Sequence, residues 1–76
     1  LRGMTKEEAL MTLDKYIDDA LLAAIPEITI IHGKGTGTLR QAVEEYLKSN
    51  QKYIAGYRLG EPSEGGTGVT IARLKT

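Results

Sequence analysis

The chain has no cysteine, no tryptophan and no phenylalanine among its 76 residues. The absence of cysteine excludes a disulfide framework and a thiolate metal site, and it is compatible with the cytosol. Because Phe and Trp are missing, branched-chain residues and tyrosines must supply the core. Ten basic and ten acidic residues cancel to a net charge of zero, so any basic patch that binds nucleic acid must be local.

The chain also lacks a long apolar run. No stretch approaches the length of a membrane span, and no signal-peptide pattern opens the sequence. At 76 residues the chain predicts one domain, near the lower size limit for folding without metals or disulfides. Because it begins at Leu1 without an initiator methionine, we expect a domain of a longer polypeptide.

Two segments carry apolar residues at helical spacing. Thr5 and Glu8 have the spacing of a capping box, which predicts a helix start at residue 6. The apolar stripe that follows predicts a helix over residues 6–24, and Pro26 stops it. A second apolar stripe predicts a shorter helix over residues 39–49. We expect the residues of both stripes to form the core.

Three further segments favour strands: residues 27–31, 53–59 and 69–74. The first is β-branched and almost continuously apolar, so we expect a central strand that is covered on both faces. Strand, helix and strand in that order predict a right-handed crossover and a parallel pair. The last strand is predicted antiparallel to the one before it, and Leu1 and Arg2 are expected to be the stub of a first strand.

A glycine-rich stretch, His32-Gly33-Lys34-Gly35-Thr36-Gly37-Thr38, separates the first apolar strand from the second helix. Glycines allow positive φ and leave no side chain in the way of a ligand. A helix N-terminus behind such a loop offers N–H groups and the positive end of a dipole. Lys34 adds a positive charge and His32 a proton-exchanging group, so the stretch predicts a phosphate site. The alternative is a plain strand-to-helix turn.

Other phosphate and metal sites are not supported. The order of residues does not fit a Walker A loop, and Thr38 occupies the third glycine position of a dinucleotide fingerprint. A lone histidine without cysteine or clustered carboxylates is a poor zinc site. Asp14 and Asp18, one helical turn apart, are interpreted as a solvated face. Magnesium that is held mainly by the substrate stays an open alternative.

A second glycine-rich segment spans residues 60–68. It is polar and poor in hydrophobic residues, so we predict that it does not pack and interpret it as a mobile hairpin tip. Long loops in small domains are usually functional or mobile.

Three blocks occur in order along the chain: Arg2-Gly3 before the capped helix, His32-Gly33-Lys34-Gly35-Thr36-Gly37-Thr38-Leu39-Arg40, and Glu64-Gly65-Gly66-Thr67-Gly68-Val69-Thr70. With these blocks the chain resembles the Smr domain over essentially its whole length. More narrowly, it resembles the C-terminal Smr domain of the second bacterial MutS family, which is linked to recombination control and ribosome collisions. The resemblance implies one Smr domain over residues 1–76. It also implies an α/β two-layer sandwich of βαβαββ order, similar to the C-terminal domain of translation initiation factor three. Its mixed four-stranded sheet would have a truncated first strand.

The resemblance also implies nucleic-acid binding, with nicking endonuclease activity on DNA or cleavage of RNA. The implied partners are branched or duplex DNA and ribosomal RNA, with no membrane. The implied parent protein is a cytoplasmic homodimer, and ATP binding belongs to parent regions outside this chain. No cofactor is expected in the domain itself.

The resemblance assigns roles to particular residues. Arg2 matches the last residue of the family's Leu-Asp-Leu-Arg motif, but the family's aspartate two residues earlier falls before Leu1. If catalysis needs that carboxylate, the fragment binds without cutting. The expected catalytic residues are Arg2 and His32, and the expected phosphate-binding residues are Gly33, Lys34, Gly35, Gly37 and Arg40.

Phosphodiester hydrolysis needs charge stabilisation on the phosphate, a positioned nucleophile and a proton for the leaving oxygen. Loop amides, Lys34 and Arg2 would supply the first, and His32 would move the proton. A non-catalytic module that docks the parent protein on branched DNA or ribosomal RNA is the alternative. A protein-docking domain rests only on the small fold and the neutral charge. For His32 alone, the structural alternative is a histidine that bonds nearby backbone.

Overall fold

The computed structural model describes residues 3–33 and 37–75, in which two helices alternate with strands before a final strand. The elements are α1 (Lys6–Leu22), β1 (Glu27–Ile31), α2 (Thr38–Ser49), β2 (Ile54–Leu59) and β3 (Val69–Leu74), with 3₁₀ turns at Pro62–Glu64 and Gly66–Gly68. Each predicted helix and each of the three predicted strands is present, and their ends differ from prediction by at most two residues. The α+β fold class is confirmed. The predicted first-strand stub, Leu1 and Arg2, lies outside the described residues.

Strand β3 occupies the middle of the sheet, whose order is β1-β3-β2. It pairs antiparallel with both neighbours, so β1 and β2 run in the same direction. The predicted parallel pair is wrong, because β3 lies between these two strands. The predicted mixed sheet is likewise not found within residues 3–33 and 37–75, where every strand pair is antiparallel.

The burial of the strands explains this order. Four successive residues at the start of β3 are buried, as expected of a strand that is covered on both faces. In β1, by contrast, Ile28 and Ile30 are buried while Glu27, Thr29 and Ile31 are exposed. The prediction that residues 27–31 form a central strand covered on both faces is therefore wrong. The β-branched run reads as continuously apolar only because Ile31, on the exposed face, is also apolar.

Both helices pack on one face of the sheet. Directly opposed residues of an antiparallel pair point to the same face, so Ile28 and its partner Ala72 lie together against the helices. The predicted apolar stripes are confirmed as core, since Leu13 and Ile17 of α1 are at most 4% exposed. The main cluster of buried residues comprises Leu13, Ile17, Ala20, Ile28, Ile30, Val43, Leu47, Ile54, Ala72 and Leu74.

The ends of α1 follow local chemistry. The predicted capping box is present: Thr5 Oγ1 accepts the Glu8 N–H at 3.2 Å, and Glu8 Oε1 accepts the Thr5 N–H at 3.0 Å. At the other end Ala24 adopts a left-handed φ of 56°. The Ile25 N–H donates to Ala20 O at 2.9 Å, and the Ala24 N–H donates to Leu21 O at 3.1 Å, which completes a Schellman motif. The helix therefore ends before residue 24.

The segment between β2 and β3 packs closely against β3. A Cβ atom at Gly60 would lie 2.4 Å from Val69 Cγ2, and one at Gly65 would lie 2.9 Å from Val69 Cγ1. The prediction that residues 60–68 do not pack is therefore wrong. Here the glycines do not loosen the segment, because they let its backbone lie directly on Val69.

Glu64 fastens this segment to β2. Its carboxylate accepts two bonds from Arg58, from Nη1 at 2.8 Å and from Nη2 at 3.1 Å, and a third from the Glu61 N–H at 2.7 Å. These hydrogen bonds, from Arg58 first and Glu61 second, lower the pKa of Glu64 to about 2 from an ordinary value of 4.5. The ionised carboxylate therefore stabilises the folded state.

This lowered pKa predicts a pH-dependent stability. A carboxyl with a lower pKa in the folded state stabilises it above the unfolded pKa, and the effect disappears as the pH falls through the folded pKa. We expect the Glu64→Gln variant to have a lower Tm than the unsubstituted domain at pH 7. The difference should narrow between pH 4.5 and about 2 and then disappear. Thermal unfolding followed by circular dichroism across this range measures it, and Arg58→Gln should behave in the same way. A Tm difference that is constant with pH would contradict the prediction.

Candidate functional site

His32 follows β1 directly and is only 4% exposed. The N–H groups of His32 and Gly33 both donate to the carbonyl oxygen of Gly68, at 3.1 and 2.9 Å. Gly68 immediately precedes β3, so one carbonyl joins the histidine-led loop to the second glycine-rich segment. Two of the three sequence blocks therefore meet at this point.

Both ring nitrogens of His32 have partners. Nδ1 lies 3.0 Å from Gly33 O, and Nε2 lies 2.8 Å from Thr70 Oγ1. A carbonyl oxygen only accepts hydrogen bonds, so Nδ1 carries the proton in the neutral ring. Nε2 then accepts from the Thr70 hydroxyl. If Nε2 also gains a proton, the same hydroxyl oxygen can accept, because a hydroxyl both donates and accepts.

Thr70 belongs to the candidate site through its contact with His32, although the sequence alone gives it no role. It is buried, at 4% exposure, and lies 38 positions from His32 along the chain. The available signal was a hydroxyl residue inside an otherwise apolar final strand, because a buried polar side chain needs a hydrogen-bond partner.

A cavity of about 460 Å³ opens between the N-termini of the two helices. It is lined by Gly3, Met4, Thr5, Lys6, His32, Gly33, Gly37, Thr38, Leu39 and Arg40. Both helices contribute N-terminal residues to the lining; the α1 N-terminus is capped by Thr5 and Glu8, whereas Gly37 gives α2 no side-chain cap, so the dipole of α2 contributes the less compensated positive potential. Lys6 and Arg40 add positive charge, and none of the described lining residues is acidic. The cavity is electrostatically suited to an anion, although the whole chain is neutral.

Gly37 precedes α2 as its N-cap in the left-handed region, with φ of 84°, and supplies no side-chain cap to the first helical turn. A side chain in this conformation would be strained, which accounts for glycine at this position. The Arg40 guanidinium lies beside it, with Nη2 3.5 Å from where a Cβ of Gly37 would be. Arg40 thus folds back over the helix N-terminus.

The cavity brings together four predicted site residues: His32, Gly33, Gly37 and Arg40. The other three, Arg2, Lys34 and Gly35, lie outside the described residues. Their predicted roles therefore stay predictions.

Metal ligands do not cluster in the described ranges, since no group of three or more His, Cys, Asp or Glu side chains is present there. Asp14, set aside as a metal ligand, instead accepts a hydrogen bond from the Tyr46 hydroxyl and so links α1 to α2. Burial and this hydrogen bond raise the pKa of Tyr46. Among the described residues no helix is long and apolar enough to cross a membrane.

The family model described as the Smr domain matches residues 1–75. The chain belongs to the Smr family. It is 56% identical over 75 residues to "Endonuclease MutS2" of Geobacillus sp. (strain WCH70), and 55% identical to the protein of that name from Clostridium botulinum (strain ATCC 19397 / Type A). Each match covers 99% of this chain but 9% of the relative. This Smr domain therefore spans about a tenth of the length of these curated relatives.

Solved structures agree with the assignment. The Smr domain superposes on the Smr domain of Thermus thermophilus MutS2 with a TM-score of 0.96 at 39% identity, covering 100% of this chain and 94% of that one. It superposes on YdaL, a stand-alone small MutS-related protein from Escherichia coli, with a TM-score of 0.91 at 25% identity. That match covers 100% of this chain and 63% of YdaL. The resemblance predicted from the three sequence blocks is confirmed.

The contact between Thr70 and His32 predicts a measurable coupling energy. Thr70→Val preserves shape but leaves the buried His32 Nε2 without a partner, which should cost about 1–3 kcal/mol of unfolding free energy. Urea denaturation of Thr70→Val, His32→Ala and the double variant completes a double-mutant cycle. We expect an interaction energy of about 0.5–3 kcal/mol. Additive single effects would show that the two side chains do not stabilise one another.

Proposed function

We propose that this Smr domain binds nucleic acid by holding a backbone phosphate in the cavity between the N-termini of α1 and α2, and that it nicks the phosphodiester bond there. The observation that carries the proposal is that the N-terminus of α2, which Gly37 leaves without a side-chain cap, meets Lys6 and Arg40 at a cavity without an acidic residue among its described lining. Helix N-termini are ready-made anion sites. In sequence, Arg2 adjoins this lining before Gly3 and Lys34 adjoins it after Gly33, so both add positive charge to the adjoining segments.

The family supports a nuclease. The relatives named endonuclease are far longer than this chain, so their whole activity comes to this domain only as a proposal. In hydrolysis a water oxygen attacks phosphorus, the bond to the leaving oxygen breaks, and that oxygen takes up a proton. Loop amides and cations stabilise the charge that builds on the phosphate. We assign the proton transfer to His32 and phosphate contact to Arg2.

One observation favours the second candidate, a module that binds without cutting. Both His32 ring nitrogens are already hydrogen-bonded and the ring is almost fully buried. For His32 to exchange a proton with a substrate, the Thr70 hydroxyl must turn away from Nε2 or pass the proton on. A histidine that only holds Gly33 and Thr70 in place would need no such step.

The wider role follows from the proposed activity and from the MutS2 relatives. We propose a cytoplasmic, homodimeric parent that acts in recombination suppression or ribosome-collision rescue, on branched or duplex DNA or on ribosomal RNA. We propose no resident cofactor for the domain, and magnesium brought by the substrate stays compatible with it.

Binding through phosphates predicts a characteristic salt dependence. Each phosphate contact removed should lower the slope of log affinity against log salt concentration by about one unit. We expect this for Lys34→Ala and for Arg40→Ala, measured by fluorescence anisotropy with a labelled duplex in a salt series. Lys52→Ala is the matched control, because Lys52 follows the opposite end of α2. An unchanged affinity and slope in Lys34→Ala would exclude Lys34 as a phosphate contact.

Loss of His32 should separate cutting from binding. If His32 moves a proton, His32→Ala should lower the cleavage rate by about two to four orders of magnitude, with a much smaller loss of affinity. Cleavage of supercoiled DNA and of structured RNA measures the rate, on a chain extended upstream to include the family's aspartate. His32→Asn is the control for structure, because its amide can still donate to Gly33 O.

Both variants must first be shown to be folded by circular dichroism. If the folded His32→Ala variant cuts at the same rate as the unsubstituted chain, the histidine is structural and the proton transfer is assigned wrongly. If the upstream-extended chain without substitutions binds nucleic acid but does not cut it, the domain is a binding module.

A further inference from the structure

A second cavity of about 270 Å³ lies between α2 and β2. Its walls include Arg40 and Gln41 of α2, Tyr57 and Leu59 of β2, and Thr70 of β3. The volume is just below the range of about 300–1,000 Å³ that is typical of ligand pockets, so the cavity suits a small group.

This second cavity adjoins the proposed phosphate site. Arg40 lines both cavities. Thr70 lines the second cavity and contacts His32, at 2.8 Å, while His32 lines the first. The two cavities are therefore neighbours, separated by Arg40 and the His32–Thr70 contact.

The lining of the second cavity is suited to a neutral heterocycle. The Tyr57 ring is half-buried and Leu59 is 44% exposed, which together offer aromatic and aliphatic surface. The Gln41 amide supplies donors and an acceptor. Of its charged lining residues, Arg58 is bonded to Glu64 and Glu44 lies within 3.3 Å of Lys48, while the Arg40 guanidinium folds back beside Gly37 at the first cavity. A second phosphate would have to share Arg40 with the first, whereas a nucleobase finds an aromatic side chain and a hydrogen-bonding amide.

We propose that the cavity between α2 and β2 takes up an unpaired nucleobase next to the bound phosphate, so that the domain selects nucleic acids with an unpaired nucleotide. This inference rests on the proposed function. In a duplex both faces of a base are stacked and its pairing edge is occupied. A base enters the cavity only after it leaves the stack, and that cost is least for a base that is already unpaired.

The test compares two duplexes of equal length, one fully paired and one with a single unpaired purine, each made as DNA and as RNA. Base–aromatic stacking predicts that the folded domain binds the second about 5- to 150-fold more tightly. Tyr57→Leu keeps bulk against the core but removes the aromatic ring, so it should abolish this preference. Its salt slope and its affinity for the paired duplex should not change. Tyr57→Phe should retain the preference, and Tyr53→Leu, outside the cavity, should be neutral.

A fluorescent purine analogue at the unpaired position gives a readout independent of affinity. Stacking on Tyr57 should quench the analogue's fluorescence in the unsubstituted domain but not in Tyr57→Leu. Equal binding of both duplexes, with a normal salt slope, would overturn this inference and leave the proposed function standing. Failure to bind either duplex would overturn both. A preference that persists in Tyr57→Leu would also overturn the assignment of the base to this cavity.

Discussion

The carbonyl oxygen of Gly68 accepts hydrogen bonds from two successive N–H groups, those of His32 and Gly33, where β1 ends beside the start of β3. These two hydrogen bonds hold the two glycine-rich segments together. These hydrogen bonds fix the backbone of His32 beside the start of β3. The His32 ring therefore lies against Thr70, which is two residues after Gly68. The N-terminus of α2 and the two cavities around Arg40 are arranged about the same point. The candidate site thus depends on the pairing of β1 with β3.

That dependence explains which parts of the fold could be predicted. Helix starts and ends are set by neighbouring residues, so the capping box of Thr5 and Glu8 was readable directly. The sequence predicts the end of α1 two residues too late, because Ala24 takes a left-handed conformation in which glycine is usual. Strand order joins residues far apart in sequence and carries no local signal. The sequence therefore predicts correctly that β1 and β2 run in the same direction, but it does not indicate that β3 lies between them.

The candidate site shows the same division. His32, Gly33, Gly37 and Arg40 belong to one continuous block, and a block of this kind is visible in sequence. Thr70 became recognisable only when β3 was placed beside β1. The prediction that residues 60–68 do not pack is wrong for a related reason. Polar composition indicates a lack of hydrophobic side chains, but glycine packs through its backbone, and the Val69 beneath it belongs to the next element.

The proposed affinity for nucleic acid is compatible with the zero net charge of the chain. The N-terminus of α2, which Gly37 leaves without a side-chain cap, contributes positive potential without adding any formal charge. Two acidic side chains outside the first cavity have structural partners, Glu64 with Arg58 and Asp14 with Tyr46. Arg40 acts locally, since it lies between one cavity suited to an anion and another suited to a neutral ring. Such an arrangement limits electrostatic attraction to one small part of the surface. Selectivity among nucleic acids must then come from the group beside the phosphate rather than from a broad basic patch.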